Sequence, residues 1–351
     1  MQSVFVISRK TSPAIFDSQV LPLLRHKRAL VYFYSNGNVE CFDMKVDQSK
    51  IVSTLYLFRS VLYGKKYIFI SREVIGFLLS CFFSLLGIRG WLKHDFRAIF
   101  SEELRFNDAS WIKITTARLL EYWIWRMADD VRVCSNNMKL YFENISSFHR
   151  DCLVVPSFHN NVVDVVSTTP FKFSGPRFVY VGGMSSWQCI PEIIKFYDAV
   201  GVSGKSLTII TKDITRFNQF IFSIGYSGKI NIISLDQNEV LNHLPNFDFG
   251  FIMRSNSVVN TTSSPLKFLE YASSGVVPIG TAYIGDFSNA FNGLMYTVDI
   301  DDIPNSAVEF SKKYNSCQLL DNLTRKNLVD ISSTYSFSYH IDQLEKWCFC
   351  L

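Results

Sequence analysis

The chain lacks the signatures of several common chemistries. Its eight cysteines, Cys41, Cys81, Cys134, Cys152, Cys189, Cys317, Cys348 and Cys350, are scattered, and none forms a Cys-x-x-Cys pair. That argues against a disulfide framework or a zinc ribbon and for a reducing compartment. The six histidines, His26, His94, His149, His159, His243 and His340, show no ligand spacing, so no metal site is expected. Walker and Ser/His/Asp signatures are missing, and so is any basic-aromatic module for nucleic acid. There is no internal repeat and no low-complexity tract. The longest apolar run, Val74 to Ile88, has 15 residues. About 20 are needed to cross a bilayer, so a buried core helix is expected there, with an interfacial segment as the alternative. The opening MQSVFVISRKTS has too short an apolar stretch for a signal peptide. The ending CFCL lacks the aliphatic pair of a prenylation box.

What remains is ample core. Of 351 residues, 48% are hydrophobic, and aromatics reach 15% with 31 Phe and 16 Tyr. The length suggests two domains. Short apolar runs alternate with helical patterns throughout. SVFVIS, ALVYFYS, KYIFIS, RGWLKHD, VRVCS and CLVVP read as strands in the first half. RFVYVGG, LTIIT, KINII, FDFGFIM, VVPIG and LMYTV do so in the second. Helices are expected over Trp111 to Met127 and Ile190 to Val200. Two such alternations predict two doubly wound α/β domains, with ligands beyond the strand C-termini and the site in the cleft between the domains. The boundary is placed in the irregular stretch Asn160 to Gly175. Charge is uneven. Residues 1–165 hold 21 Lys and Arg against 15 Asp and Glu, whereas residues 166–351 hold 14 against 16. Clusters include Arg9-Lys10, Arg25-His26-Lys27-Arg28 and Lys65-Lys66. An ordinary solvated surface would account for them; an anionic membrane or lipid-linked substrate facing the first domain is the sharper reading.

The most informative stretch is NTTSSPLKFLEYASSGVVPI, Asn260 to Ile279. Pro265 suits the first position of a helix and Ser264 the cap before it. Leu266, Leu269 and Tyr271 make an apolar face, Gly275 a stop, and Val276 to Ile279 a buried strand. Free N–H groups and the positive dipole end suit a phosphate at the helix start. Lys267 would stand in the first turn, and Glu270 one turn on could accept two ribose hydroxyls. Equally, Lys267 and Glu270 fit an i,i+3 surface pair, worth about 0.2–0.5 kcal/mol. Asp299-Ile300-Asp301 spells Asp-x-Asp, but its setting reads as helix capping.

The segment FIMRSNSVVNTTSSPLKFLEYASSGVVPI resembles the nucleotide-sugar-binding core of bacterial glycosyltransferases with the GT-B fold, two Rossmann-like domains around a cleft. It is most similar to the retaining group called family 4. The positions that carry the likeness are Arg254, Asn260, Ser264, Pro265, Lys267, Glu270, Tyr271 and Gly275. In the same order along the chain, IFDSQVLPLL resembles that group's first helix, and WLKHDFRAIFSEE its Asp-x-Arg-Gly segment with Ala98 for the glycine. VRVCSNNMKLYF resembles its strand and Ser-x-x-Met helix, FVYVGGMSSWQ the opening of its second domain, and YSFSYHIDQLEKW its last helix. Three departures stand out. Thr262 replaces the first glutamate of the Glu-x7-Glu pattern, GGMSSWQ lacks the usual Arg and Lys, and ISRKTSPAIF has no glycine.

The resemblance implies an acceptor-side domain over 1–165, a donor-binding domain over 166–334, and a terminal helix over 335–351 that packs back on the first domain. It implies sugar transfer from a nucleotide diphosphate to a glycan or lipid-linked hydroxyl, without a cofactor, at the cytoplasmic face of a membrane. The setting would be surface polysaccharide synthesis, of O-antigen or capsule. Arg254 and Lys267 would meet the leaving diphosphate. Gly182 and Gly183 would admit it to the backbone, Asn260, Ser263 and Ser264 would line it, and Glu270 would hold the ribose. Asp95 and Arg97 would face sugar or acceptor, with Asp95 equally a structural partner of Arg97. Two other classes stay open: a nucleotide-sugar epimerase of the same fold, and a non-catalytic, membrane-docked partner.

Overall fold

The computed structural model describes residues 3–7, 30–35, 38–43, 48–52, 67–71, 77–78, 81–82, 90–158, 175–316 and 322–349. The chain forms two compact units, Met1–Asn160 with Phe337–Leu351, and Asn161–Ser336. Residues 159–174, where the boundary is expected, lie outside the described residues, as do the basic clusters at 9–10, 25–28 and 65–66.

The first unit carries β1 (Ser3–Ile7), β2 (Leu30–Ser35), β3 (Asn38–Asp43), β4 (Gln48–Val52), β5 (Tyr67–Ser71), β6 (Gly90–Phe96), β7 (Asp130–Val133) and β8 (Leu153–Val154). They form one sheet in the order β4-β3-β2-β1-β5-β6-β7-β8. The six strands expected from apolar runs are mutually parallel. Strands β3 and β4 extend the sheet as an antiparallel meander that the run pattern misses. NVECFD and QSKIV mix polar and apolar residues, because an antiparallel sheet margin can leave one face to water. Of the run Val74 to Ile88, only four helical residues are described; Phe77 is buried against His94 and Trp123, whereas Leu78 and Phe82 are exposed. The terminal helix Phe337–Phe349 belongs to this unit. Its Trp347 is buried; Lys93 Nζ on β6 donates to the Trp347 carbonyl, and the ring faces the Arg132 guanidinium at 6.0 Å.

The second unit carries β9 (Arg177–Val181), β10 (Ser206–Ile210), β11 (Ile230–Ile233), β12 (Phe249–Ile252), β13 (Val277–Gly280) and β14 (Tyr296–Thr297). All pair in parallel, in the order β11-β10-β9-β12-β13-β14. Strands β12 and β13 are buried along their whole length, as a sheet covered on both faces requires. Phe178 on β9 stacks on Phe249 and Phe251 of β12 at 5.5 and 5.4 Å. Phe196 and Phe310 close on this stack from the helices Ile190–Ala199 and Ile303–Asn315. Each such ring contributes about 1.5–3 kcal/mol by burial, so the β9–β12 seam is rigid.

That seam matters because of the connections. From β9 the chain steps outward to β10 and β11, then returns to the other flank of β9 for β12, β13 and β14. Loops leaving β9 and β12 therefore diverge and open a crevice at the strand C-termini, where ligands of such sheets bind.

Candidate active site

Strand β12 delivers Arg254 to this crevice two residues beyond its end. The backbone there is clamped by Thr281, just past β13. Arg254 N–H donates to Thr281 Oγ1 at 3.1 Å, and that hydroxyl donates to the Arg254 carbonyl at 2.7 Å. Arg254 is 9% exposed, yet its guanidinium has neither a carboxylate partner nor a hydrogen bond. Burial pulls its pKa down. A desolvated cation without a counter-charge is costly, and an anion in the crevice would relieve that cost.

Lys267 comes from the helix Leu266–Ser273. Its ammonium donates to Gln188 Oε1 at 2.6 Å, lies 3.4 Å from the Tyr180 hydroxyl, and sits 4.6 Å from the Tyr180 ring centroid. Burial, with Arg254 adding to it, brings its pKa down to about 7. Lys267 and Glu270 make no ion pair with each other; the surface pair allowed by their spacing does not form. The Glu270 carboxylate is buried and accepts instead from Gln237 Nε2 at 2.5 Å. Burial raises its pKa, while Lys267 and Gln237 lower it.

The helix start differs by one residue from expectation. Pro265 occupies the cap position, outside the first turn, and has no side-chain hydrogen bond to offer. Phe268 N–H donates to the Pro265 carbonyl at 3.1 Å, and the Leu266 and Lys267 N–H groups ahead of it have no intrahelical acceptor. At the far end Gly275 follows the last turn, and Val276 N–H donates to the Tyr271 carbonyl at 3.0 Å. Tyr271 spans the seam: its hydroxyl accepts from Val181 N–H at 3.0 Å and donates to the Phe251 carbonyl at 3.4 Å.

Gly182 and Gly183 leave β9 into the same crevice. Gly182 has φ +134°, and a Cβ there would stand 2.4 Å from Lys267 Nζ, so only glycine leaves that lysine its place. A Cβ on Gly183 would meet nothing, so open space borders the backbone. Ser263 Oγ donates to the Asn260 carbonyl at 2.8 Å. Ser264 lies in the loop just ahead of Pro265. Asn260 is buried, and its Nδ2 donates to the Ser255 carbonyl at 2.9 Å and to Ser255 Oγ at 3.1 Å. Its amide thus braces the loop after Arg254. Gly285, with φ +65°, packs so closely on the Ser263 carbonyl that any side chain there would collide. Thr262 is buried and donates to the Val258 carbonyl at 2.7 Å.

In the first unit, Asp95 near the end of β6 is buried between two arginines. Arg97 Nε donates to Asp95 Oδ2 at 2.9 Å, and Arg132 Nε lies 3.5 Å from Asp95 Oδ1. Asp95 thus pairs with Arg97, while Arg97 Nη1 and Arg132 Nη2 are buried without a hydrogen bond. His94 is buried, with Nδ1 2.7 Å from Ser71 Oγ. Asp299 and Asp301 do not cap the next helix: Asp302 does, accepting from Asn305 N–H at 3.4 Å, while Asp299 Oδ1 takes Asp301 N–H at 3.0 Å. Among the described residues no group of three or more His, Cys, Asp or Glu side chains could hold a metal ion.

No protein-family model matches the chain, and no curated protein matches it in sequence. Solved structures do match. Sucrose-phosphate synthase from Thermosynechococcus elongatus superposes with a TM-score of 0.73 at 13% identity, over 99% of this chain and 98% of that one. HepE of Anabaena, solved with UDP, gives 0.71 at 12% identity over 99% of both chains. A UDP-forming α,α-trehalose-phosphate synthase from Burkholderia xenovorans gives 0.68 at 9% over 99% of both. The fold is GT-B.

Within the second unit of this GT-B chain, several supporting residues escape sequence reasoning. Gln188 ends the short helix Ser186–Gln188 in the loop GGMSSWQ, where the resemblance expects basic residues. In their place stands an amide that steers Lys267 inward. Tyr180, Thr281, Gln237 and Gly285 are equally unremarked. The one available signal was that GGMSSWQ keeps its glycines and ends in a polar residue although its cations are missing.

Proposed function

We propose that the chain is a glycosyltransferase. It takes a sugar from a nucleotide diphosphate and gives it, with retention and without a metal cofactor, to a hydroxyl of a glycan or lipid-linked acceptor in bacterial surface polysaccharide synthesis. The observation that carries the reading is Arg254, a buried, unpartnered guanidinium at the β9–β12 crevice beside Lys267 and an uncapped helix start. HepE was solved with UDP and with UDP-glucose, and the trehalose-phosphate synthase is UDP-forming, which supports a nucleotide-sugar donor here.

The chemistry follows from these groups. When the sugar leaves, charge builds on the diphosphate oxygens. Arg254 offers a planar, bidentate fork to them, and Lys267 and the helix N–H groups add fixed positive charge. Glu270 would exchange its Gln237 bond for the ribose hydroxyls. Gly183 leaves room for the diphosphate against the backbone. Asp95 holds Arg97 at the end of β6, on the acceptor-side unit. The basic first half would keep the enzyme at an anionic membrane surface, on its cytoplasmic side.

The test is incubation with a panel of labelled nucleotide sugars, with glycan and lipid-linked acceptors. Transfer, or slow donor hydrolysis, is expected. Interconversion of the donor sugar without an acceptor would make the chain an epimerase. Neither binding nor turnover across the panel would make it a non-catalytic relative.

A further inference from the structure

We propose that the outward stripe of the helix Trp111–Met127 docks on an anionic phospholipid surface, Trp111, Ile112, Leu119 and Tyr122 entering the headgroup layer while Arg118 and Arg126 meet lipid phosphates. The inference rests on the membrane part of the reading above and names the surface responsible.

The helix has two faces. Ala117, Glu121, Ile124 and Trp125, spaced for one side, are buried. Trp111, Thr115, Arg118, Leu119, Tyr122 and Arg126 recur at helical spacing on the opposite side, with Ile112 beside Leu119. There Trp111 is 74% exposed, Leu119 63% and Ile112 60%. Isolated exposed apolar residues are ordinary; three of the largest on one stripe of one helix are not.

Charge chooses the occupant. Lys113, Arg118 and Arg126 are exposed, and none has a carboxylate partner. Arg126 donates to Tyr122 Oη at 2.8 Å and covers the Tyr122 and Phe148 rings at 5.6 and 5.0 Å. The helix has one carboxylate, Glu121, which is buried and accepts from the Ser101 hydroxyl at 2.5 Å and from its N–H at 3.2 Å. The outer stripe is thus apolar, aromatic and wholly cationic. A second copy meeting it face to face would bring cations onto a stripe that has no anion to offer. An anionic bilayer surface satisfies each part. Tyr and Trp rings suit the headgroup layer, aliphatic side chains reach the acyl boundary, and arginine heads stay at the phosphates. No helix among the described residues is long and apolar enough to cross a membrane, so this helix would lie in the plane of the interface.

The experiment is vesicle sedimentation of the full chain, with phosphatidylcholine vesicles and with vesicles of phosphatidylcholine and phosphatidylglycerol. Circular dichroism checks folding, and calorimetry with UDP checks the donor site separately. The parent should favour the anionic vesicles. Arg118→Gln with Arg126→Gln should weaken that binding by about 25-fold, near fivefold for each charge. Trp111→Ser with Leu119→Ser should weaken it by roughly tenfold or more through lost apolar contact. Neither pair should alter UDP affinity. If the parent binds anionic vesicles and both variants bind as well as it does, this surface is wrong and the membrane reading survives. If the parent binds no vesicle, both fail, whatever the donor panel shows. A parent dimer that the variants dissolve, without vesicle binding, would give the stripe to a second copy and overturn the proposal.

Discussion

Two strand ends in this chain carry arginines, and their surroundings are opposite. Near the end of β6, Asp95 is buried between Arg97 and Arg132, and each guanidinium has a carboxylate within 3.5 Å. Past the end of β12, Arg254 is as deeply set but faces no carboxylate, and the nearby Lys267 leans on a neutral amide and a phenol. The acid that could have neutralised Lys267, Glu270, is held by Gln237. Both clusters sit at parallel strands, and each combines two cations with a nearby acidic residue. The difference is the counter-charge: in the first cluster the Asp95 carboxylate stands between both guanidiniums, whereas in the second no carboxylate lies against either cation.

The contrast is most exposed to attack at Asp95. Asp95→Ala strands the buried Arg132 and the half-buried Arg97 and should lower stability by about 3–5 kcal/mol. Urea denaturation measures it, and a loss well under 1 kcal/mol would erase the distinction between the clusters. Lys267→Ala should do the reverse. No ion-pair partner is orphaned, so the fold survives, but turnover should fall by about 10²–10³, the loss of one oxyanion donor. Arg254→Lys keeps the charge and loses the fork, and should also be slow. Parent rates in both variants would leave the β12 cluster without a catalytic part. A smaller effect belongs to Glu270. Glu270→Ala should weaken nucleotide binding by about 1–3 kcal/mol, the worth of hydrogen bonds to a charged group; calorimetry showing unchanged affinity in a folded variant would remove the ribose assignment.

The finest test uses pH. In the free protein Lys267 titrates at about 7, far below its usual range, because it is buried beside Arg254. A bound diphosphate would favour the protonated form and raise that pKa. Binding then takes up a proton between the free and bound values, so affinity should fall as pH rises above 7, by at most about tenfold per unit. Lys267→Met should flatten that profile. The sign for stability is opposite. Between about 7 and the ordinary lysine value the unfolded chain binds the extra proton, so this group's contribution makes the free protein more stable as pH rises. Lys267→Met should therefore stabilise the free protein near neutral pH; each kcal/mol gained appears as roughly 2–4 °C in Tm for a domain of this size. A variant that melts earlier than the parent would contradict a desolvated ammonium that lacks a carboxylate partner.

Much of the fold was legible because buried parallel strands must be apolar throughout. FGFI and VPIG could hardly be anything else between helical patterns, and their order predicts a doubly wound sheet. Strands β3 and β4 were not legible, since NVECFD and QSKIV hold their places by backbone pairing at a sheet margin more than by apolar runs. The helix Trp111–Met127 is present over its expected range, but which of its aromatic residues face outward could not be read from a segment apolar on both sides.

The candidate site divides the same way. Sequence by itself determined the local frame: a strand, a loop, a proline-led helix and a glycine stop, which follow from backbone preferences over a few residues. It also determined which charged side chains that frame would present. Tertiary structure alone decided their partners. Lys267 and Glu270 stand one turn apart on one helix, yet one meets Gln188 and Tyr180 and the other Gln237, from segments 33 to 87 residues away. Whether a cation is a surface ornament, half of an ion pair or an open anion site depends on the charges and solvent around it. Those are set by the β9–β12 seam and the divergence of its loops, which no local pattern encodes.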